Sequence, residues 1–360
     1  MARFIAFYLP QFHPTPENDE WWGKGFTEWV NVAKARPLFP GHVQPHIPAD
    51  LGFYDLRVPE VRVQQADLAK EAGIEAFCYW HYWFGGGKRL LERPFNEVLK
   101  SGSPDFPFCL AWANHSWYKK LWDPNAKDKD ILLIEQKYLG IDDYVAHFNE
   151  LLPAFKDKRY FKVDGKLFFV IYDALGFKDI KTFISIWRQL AKDNGLNDFY
   201  FVATDSDCRN RDEILKLGLD ATYNNDTYNI HHKLSKYKKA LLLLTRRYLK
   251  IPTVFKYKNA IKYMVTDDCR KDNVIPMITT NWDHSPRSGR NAIILTGATP
   301  QLFAELAKRG LDVVKNKPKD EQIIIIKSWN EWGEGNYMEP DLEFGKGYIN
   351  ALREVINSTK

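Results

Sequence analysis

Glu331 and Glu334 stand three residues apart in the stretch Ile323 to Asp341, which reads IIIIKSWNEWGEGNYMEPD. Two carboxylates flanking a bond are the usual apparatus of glycoside cleavage, one giving a proton and the other acting as nucleophile or base. The acid of such a pair needs a raised pKa, and burial beside Trp329 and Trp332 would raise it. Sugar rings have apolar faces that stack on aromatic planes, so Trp329, Trp332 and Tyr337, with Asn330 to hydrogen-bond, suit a glycan cleft. The plainer reading is that one glutamate only anchors a loop through backbone hydrogen bonds.

The element that must position this pair is the run of four isoleucines before it. Such a run reads as a strand buried on both faces, as in a parallel sheet covered by helices. Gly333 and Gly335 then let the backbone turn. Eight short apolar runs of this kind are present: 3–9, 75–82, 106–112, 167–172, 199–204, 221–224, 275–280 and 323–328. Between them, segments 58–72, 142–155, 180–192, 300–314 and 347–356 carry apolar residues at helical spacing. Eight β/α units predict a single (β/α)8 TIM barrel over residues 1–360 with long aromatic βα loops. The sixth run is the weakest, which leaves a different α/β arrangement open.

In such barrels the reacting groups sit at the C-terminal ends of the strands, and polar or aromatic residues recur there. The first run gives Tyr8, Gln11 and His13, then a long loop to Leu56 with Trp21, Trp22, Phe26, Glu28, Trp29 and His46. That loop is too long for a plain connection and too aromatic for disorder, so it reads as cleft wall. Later ends give His81, Tyr82 and Trp83; Trp112, Asn114 and His115; Tyr172 and Asp173; Asp205 and Asp207; Asn224, Asn225 and Asp226; and Asn281, Trp282 and Asp283, with Arg287 close behind. Trp29, Tyr82, Trp83, Trp112 and Trp282 read as stacking platforms or as core. His13, His46, His81 and His115 have no HxH or HxxxH spacing, which favours hydrogen bonds to sugar hydroxyls over a metal site. Asp283 and Arg287 read as an ion pair at the rim, structural or touching substrate. No cofactor is expected.

Net charge is +5 and gives little support to nucleic-acid binding. The aromatic share, 15% with 12 Trp and 18 Tyr, is high enough to furnish a ring-binding cleft as well as a core. Cys78, Cys109, Cys208 and Cys269 form no CxxC pair and read as free thiols. The N-terminus enters a strand at once and no apolar run is long enough to span a bilayer, so the expected location is the cytoplasm. Residues 233–262 carry basic side chains, Lys233 and Lys250 among them, with no acidic residue. They read as a solvated helix face, or as a basic amphipathic surface that makes peripheral contact with an anionic membrane or meets a diphosphate-bearing substrate.

Five motifs together, FYLPQFHPTPENDEWWGKGFTEW, HYWFGGGKRLLERP, LAWANHSW, TNWDHSPR and WNEWGEGNYMEPD, resemble the WbsX-type proteins grouped with glycoside hydrolase family 99-like domains, often found in polysaccharide or O-antigen gene clusters. The resemblance covers nearly the whole chain and is weakest between about 205 and 270. It implies a metal-independent (β/α)8 barrel acting on a glycan or lipid-linked oligosaccharide. Family 99 enzymes are retaining endo-α-mannosidases with a glutamate pair in a motif similar to WNEW-x-EG. Matched by position, Glu331 would deprotonate the sugar 2-hydroxyl, which attacks its own anomeric carbon, and Glu334 would protonate the leaving oxygen and later activate water. A direct carboxylate nucleophile stays open beside that scheme. The family commonly has a glutamate after Trp-Ala-Asn, where this chain has His115. WbsX-type proteins are often labelled glycosyltransferases, although no nucleotide-sugar motif is recognisable here. The rival readings are a transferase using an activated donor and a non-catalytic glycan-binding barrel.

Overall fold

A computed structural model of the protein describes residues 2–119, 131–206, 208–224, 230, 234–249 and 251–358. Asp207, Asn225, Asp226, Lys233 and Lys250 lie outside these, and Glu339, Trp80 and the rest of the strand ends lie within.

The expected runs form the strands β1 (Arg3–Tyr8), β2 (Ala76–His81), β3 (Phe108–Trp112), β4 (Lys166–Ile171), β5 (Phe199–Asp205), β6 (Ala221–Asn224), β7 (Val274–Ile275), β8 (Met277–Thr279) and β9 (Ile323–Lys327). Their order in the sheet is β7-β6-β5-β4-β3-β2-β1-β9-β8, with parallel neighbours throughout. This is a nearly closed barrel with helices around it, a TIM-barrel fold.

The seventh expected strand is split, and Pro276 is the reason. Proline has no N–H to give to a ladder. On one side β7 pairs with β6, and on the other β8 pairs with β9. The Pro276 carbonyl still accepts from Ile325 N at 3.0 Å. Across the break, Met277 N donates to the side chain of Asn224 at 3.3 Å, so a side-chain amide stands in for the missing ladder bond.

Ile323, Ile324, Ile325 and Ile326 are all buried, flanked by β1 on one side and β8 on the other. Full burial of each such side chain contributes about 1.5–3 kcal/mol, which makes this strand a firm anchor for the glutamate turn at its C-terminal end. The helices Pro59–Ala72, Ile141–Phe155, Ile180–Asp193, Pro300–Val314 and Gly347–Asn357 cover the barrel, each within two residues of its expected span. Thr299 caps the fourth by accepting from Leu302 N, with Pro300 in the first turn. The loop after β1 folds into two short helices, Pro16–Trp22 and Glu28–Lys34. None of Cys78, Cys109, Cys208 and Cys269 is in a disulfide. Among the described residues no helix is long and apolar enough to cross a membrane.

Candidate active site

Three local structures deliver the polar groups to one place at the barrel mouth. The first is the turn after β9. Ser328 fixes its exit: the hydroxyl accepts from Glu331 N and donates to Asn336 O, both at 2.8 Å. Asn330–Glu331 then pairs antiparallel with Asn336–Tyr337, so Glu331 and Glu334 stand on one tight hairpin. Both glycines of the hairpin are required. Gly335 has φ +66°, and a Cβ there would lie 2.9 Å from Asp283 N. A Cβ on Gly333 would lie 1.9 Å from Glu28 Oε1.

The second local structure is the short helix Ser285–Ser288, which carries Arg287. Its guanidinium meets three carboxylates at once. Nε donates to Glu28 Oε1 at 2.7 Å, Nη1 to Glu334 Oε1 at 2.9 Å, and Nη2 to Glu331 Oε1 at 2.6 Å. A planar fork of fixed donors suits this arrangement in a way an ammonium would not. The third is the helix Glu28–Lys34. It begins where Glu28 N donates to Gln11 O at 3.1 Å, and it places the Glu28 side chain against Arg287.

The two hairpin carboxyls are pushed apart in acidity. Burial drives Glu331 up to about 7; Arg287 opposes this while Glu334 and Glu28 add to it. Burial acts on Glu334 in the same direction, but Lys327, Arg287 and His284 together outweigh it and hold Glu334 below the ordinary carboxylate range. Lys327 Nζ lies 3.8 Å from its Oε2 and His284 Nε2 lies 3.7 Å from its Oε1. Near neutral pH one carboxyl is therefore close to its midpoint and the other is ionised, the signature of an acid and base pair.

Aromatic residues wall this floor. Trp80 stacks on Phe7 with centroids 4.6 Å apart and meets Tyr172 edge-on at 5.8 Å. Burial, with Glu334 adding, raises the Tyr172 hydroxyl; burial, with Glu331 adding, raises that of Tyr82. His115 packs against Tyr172 at 5.2 Å. Behind the hairpin, buried Glu339 accepts from Trp332 Nε1 at 2.6 Å, Gln65 Nε2 at 2.6 Å and Tyr54 OH at 2.9 Å. Burial pushes Glu339 up to about 7 against those three donors. Trp332, so held, stacks on Tyr337 at 3.7 Å.

The family model described as glycosyltransferase WbsX matches residues 4–352. The chain belongs to the WbsX family. Two proteins named WxcX from Xanthomonas campestris pv. campestris are 35% identical (strain B100) and 34% identical (strain ATCC 33913) over 362 aligned residues. Each alignment takes in 99% of this chain and 50% of the relative, so the chain spans about half the length of the curated relatives it matches. Among solved structures, a glycoside hydrolase-like protein superposes with TM-score 0.61 at 15% identity, covering 98% of this chain and 93% of its own. A family 99 endo-α-mannosidase from Bacteroides thetaiotaomicron, solved with BIS-TRIS-propane, superposes with TM-score 0.59 at 13% identity, covering 99% and 97%. At such identity these two structures speak for the fold alone.

In this WbsX-family chain the residues expected at the cleft divide into three groups. Glu331, Glu334, Arg287 and Tyr82 come together, and Trp282 joins them through Lys327, whose Nζ lies 4.4 Å from its ring. A second group supports the hairpin from behind. Tyr8 OH donates to Gln65 Oε1 at 2.6 Å. Trp29 Nε1 donates to Tyr54 O at 2.8 Å. Asn330 clamps Leu9, accepting from its N at 2.7 Å and donating to its O at 3.0 Å, and Trp329 packs on Phe77 inside the core. His13 is buried. Tyr337 OH donates to Asp341. His46 and Asn281 line a separate cavity of about 210 Å³ beside Asp283 and Tyr337.

The third group is not at the mouth. His81 lies 2.8 Å from His147, nitrogen to nitrogen; Trp83 stacks on His147 at 4.7 Å; Trp112 packs against Phe177 and Phe183. Asn114 ties down the loop after β4, donating to Asp173 O and accepting from Asp173 N, both at 2.8 Å. Strand alternation explains His81 and Trp112: successive side chains face opposite sides, so these two point to the helices while Trp80 points to the mouth. The expected Asp283–Arg287 ion pair is also replaced. Asp283 accepts from His42 Nε2 and Gln44 Nε2 at 2.7 Å and from Ser285 N at 2.9 Å. His42 Nδ1 accepts from Leu38 N, which assigns the proton to Nε2. Asp205 accepts from Arg209 N and Asn210 N and closes a turn. Sequence reasoning placed Glu28 only within the loop read as cleft wall and gave no individual role to His284, Lys327 or Trp80, of which only Trp80 carried a readable signal, its parity in β2. Among the described residues no group of three His, Cys, Asp or Glu side chains is placed to hold a metal ion.

Proposed function

We propose that this chain is a carbohydrate-active enzyme that breaks or transfers a glycosidic bond with retention, using Glu331 and Glu334. The observation that carries this reading is the guanidinium of Arg287 shared between two carboxyls of opposite acidity, Glu331 raised to about 7 and Glu334 lowered. Glu331 holds the proton for the departing oxygen, and Glu334 is the ionised partner. In a direct scheme the Glu334 carboxylate attacks the anomeric carbon while Glu331 protonates the leaving oxygen. Glu331, now ionised, then takes a proton from the water or acceptor hydroxyl that displaces Glu334. In the 2-hydroxyl scheme Glu334 removes that hydroxyl's proton, its oxygen closes on the anomeric carbon, and Glu331 again supplies the leaving group's proton. The family pattern assigns the base to the first glutamate; the charges around this pair favour the reverse.

The substrate in this proposal is an α-linked glycan, mannose or a related sugar, in a surface-polysaccharide intermediate such as O-antigen or capsule, free or lipid-linked. The enzyme acts in the cytoplasm and reaches a membrane only peripherally. The family's name favours a second reading, a glycosyltransferase with an activated donor.

Turnover of aryl α-glycosides, α-manno-oligosaccharides and surface-polysaccharide intermediates by wild type, Glu331→Gln and Glu334→Gln, with and without nucleotide sugars, tests both readings. Release of sugar by wild type without a donor, lost in both variants, supports the hydrolase. Partial recovery of Glu331→Gln on substrates with acidic phenol leaving groups, and none for Glu334→Gln, supports the assignment of the acid. Turnover only with a nucleotide or lipid-linked donor supports the transferase. Two variants as active as wild type would remove the site, and glycan binding without turnover in any form would leave a binding barrel.

A further inference from the structure

The helix Lys236–Leu244, sequence KYKKALLLL, buries none of its residues. Tyr237 is 89% exposed, Leu241 60%, Leu243 64% and Leu244 52%, and Tyr248 follows at 71%. A helix that is apolar around most of its circumference belongs in a core or in lipid, and this one lies on the surface. Between it, the strand Thr253–Lys256 and the helix Tyr257–Met264 runs a groove of about 500 Å³, lined by Leu241, Leu242, Phe255 and Tyr263 with Lys238 and Lys262.

Charge decides what covers this face. From Lys233 to Lys262 there are ten Lys and Arg and no Asp or Glu. Lys236, Lys238, Lys256, Lys258 and Lys262 meet no carboxylate of the described residues. A second copy of the chain would bring the same positive charges against them, which opposes self-association through this face. An apolar surface studded with lysines matches the boundary of an anionic bilayer, where ammonium groups meet headgroup phosphates and Tyr and Leu side chains enter the acyl region.

We propose that this face docks on an anionic lipid bilayer, with the groove accepting one acyl chain. Its position gives the docking a use. The strand Thr253–Lys256 pairs in parallel with Ile293–Thr296. That second strand is tied to the barrel mouth, where Leu295 N donates to Trp282 O at 2.7 Å and Asp283 bridges Ile294. A protein resting on this face therefore holds its mouth beside the lipid surface. Only that last step, a membrane-borne glycan reaching Glu331 and Glu334, rests on the function proposed above; the docking does not.

The test is co-sedimentation of the whole protein with vesicles of phosphatidylcholine alone or of phosphatidylcholine with phosphatidylglycerol, at about 0.1 M and about 0.5 M salt. The variants are Lys238→Glu with Lys262→Glu, and Leu241→Ser with Leu244→Ser, each checked for wild-type circular dichroism and for wild-type turnover of a soluble glycoside. The expected result is binding to the anionic vesicles at low salt only, weakened by at least about tenfold in each double variant. Binding that ignores lipid charge and both variants would overturn the proposal, as would no binding at all. Competition by millimolar glycerol phosphate would also overturn it, in favour of a free-anion site, and a dimer lost in the leucine variant would overturn it in favour of a second copy. Vesicle binding without turnover would leave the docking standing and the proposed chemistry refuted.

Discussion

Glu28 Oε1 accepts from Arg287 Nε at 2.7 Å across a sequence separation of 259. The contact fastens the long loop after β1 to the helix beside the glutamate hairpin, and it sets a third negative charge near Glu331. That charge is one of those pushing Glu331 upward. Glu28→Gln keeps the shape and removes the charge, so the Glu331 proton becomes easier to lose. In a profile of kcat against pH, the alkaline limb, where a required acid ionises, is expected to move to lower pH by about 0.5–1 unit. A limb that stays in place would sever Glu28 from the acid.

Arg287 carries a larger share. Arg287→Met leaves Glu28, Glu331 and Glu334 with one another. Losing the cation of a largely buried charge cluster is expected to lower the unfolding free energy by about 3 kcal/mol at pH 8. The loss shrinks at pH 5, because protonation relieves the repulsion. Arg287→Lys keeps the charge but not the three-way fork. Its expected signature is a stability near wild type with turnover reduced by about a hundredfold, as positioned groups shift by fractions of an ångström. Urea titrations at the two pH values, with turnover, separate the charge from the geometry.

The strands were readable because burial on both faces writes a continuous apolar run, as in Ile323–Ile326, and the covering helices because their apolar stripe repeats at the helical period. The hairpin pair was readable because two carboxylates, two glycines and two tryptophans crowd into a few residues around Asn330. The break at Pro276 needed only the absence of a proline N–H, yet it lay inside a run that otherwise looked continuous. Parity was available: alternation within β2 puts Cys78 and Trp80 on one face and His81 on the other. The convergence of Glu28, Arg287 and the hairpin was not available, since no local spacing relates residues brought together by barrel closure. Nearness in sequence instead suggested Asp283 for Arg287, and a backbone turn at Ser285 with two side chains from the long loop claimed Asp283.

Glu339 offers a test of burial against hydrogen bonding. Its folded-state pKa is raised to about 7, whereas an unfolded glutamate titrates near 4.3, at about that value. A raised carboxylate binds its proton more tightly when folded. Its contribution is therefore fully present below about pH 4.3 and is lost as pH rises through about 7. The stability of wild type minus that of Glu339→Gln is expected to fall across this window by a few kcal/mol, roughly, and to level off above it. Subtracting the variant cancels the buried histidines, which titrate in an overlapping range. A difference that rises with pH instead would mean that Trp332, Gln65 and Tyr54, all donors, hold Glu339 ionised in the folded protein.

Gly333 and Gly335 are required for different reasons, and substitution should tell them apart. At Gly333 an added Cβ would lie 1.9 Å from Glu28 Oε1 and 2.9 Å from Arg287 Nε, both side-chain atoms. At Gly335 it would meet the backbone N of Asp283 at 2.9 Å, on a residue whose φ of +66° already disfavours a side chain. Gly333→Ala is therefore expected to fold, at a cost of about 1–3 kcal/mol, by driving the Glu28 carboxylate off Arg287. Its pH profile should move as that of Glu28→Gln does. Glu28→Ala opens the space the new methyl needs, so the double variant should be more stable than the two single losses added together, by about 1 kcal/mol or more. Gly335→Ala has no yielding partner and should cost more, with no rescue from Glu28→Ala. Strict additivity between Glu28→Ala and Gly333→Ala in denaturant titrations would show that the close approach of Gly333 to Glu28 does not hold the loop to the hairpin.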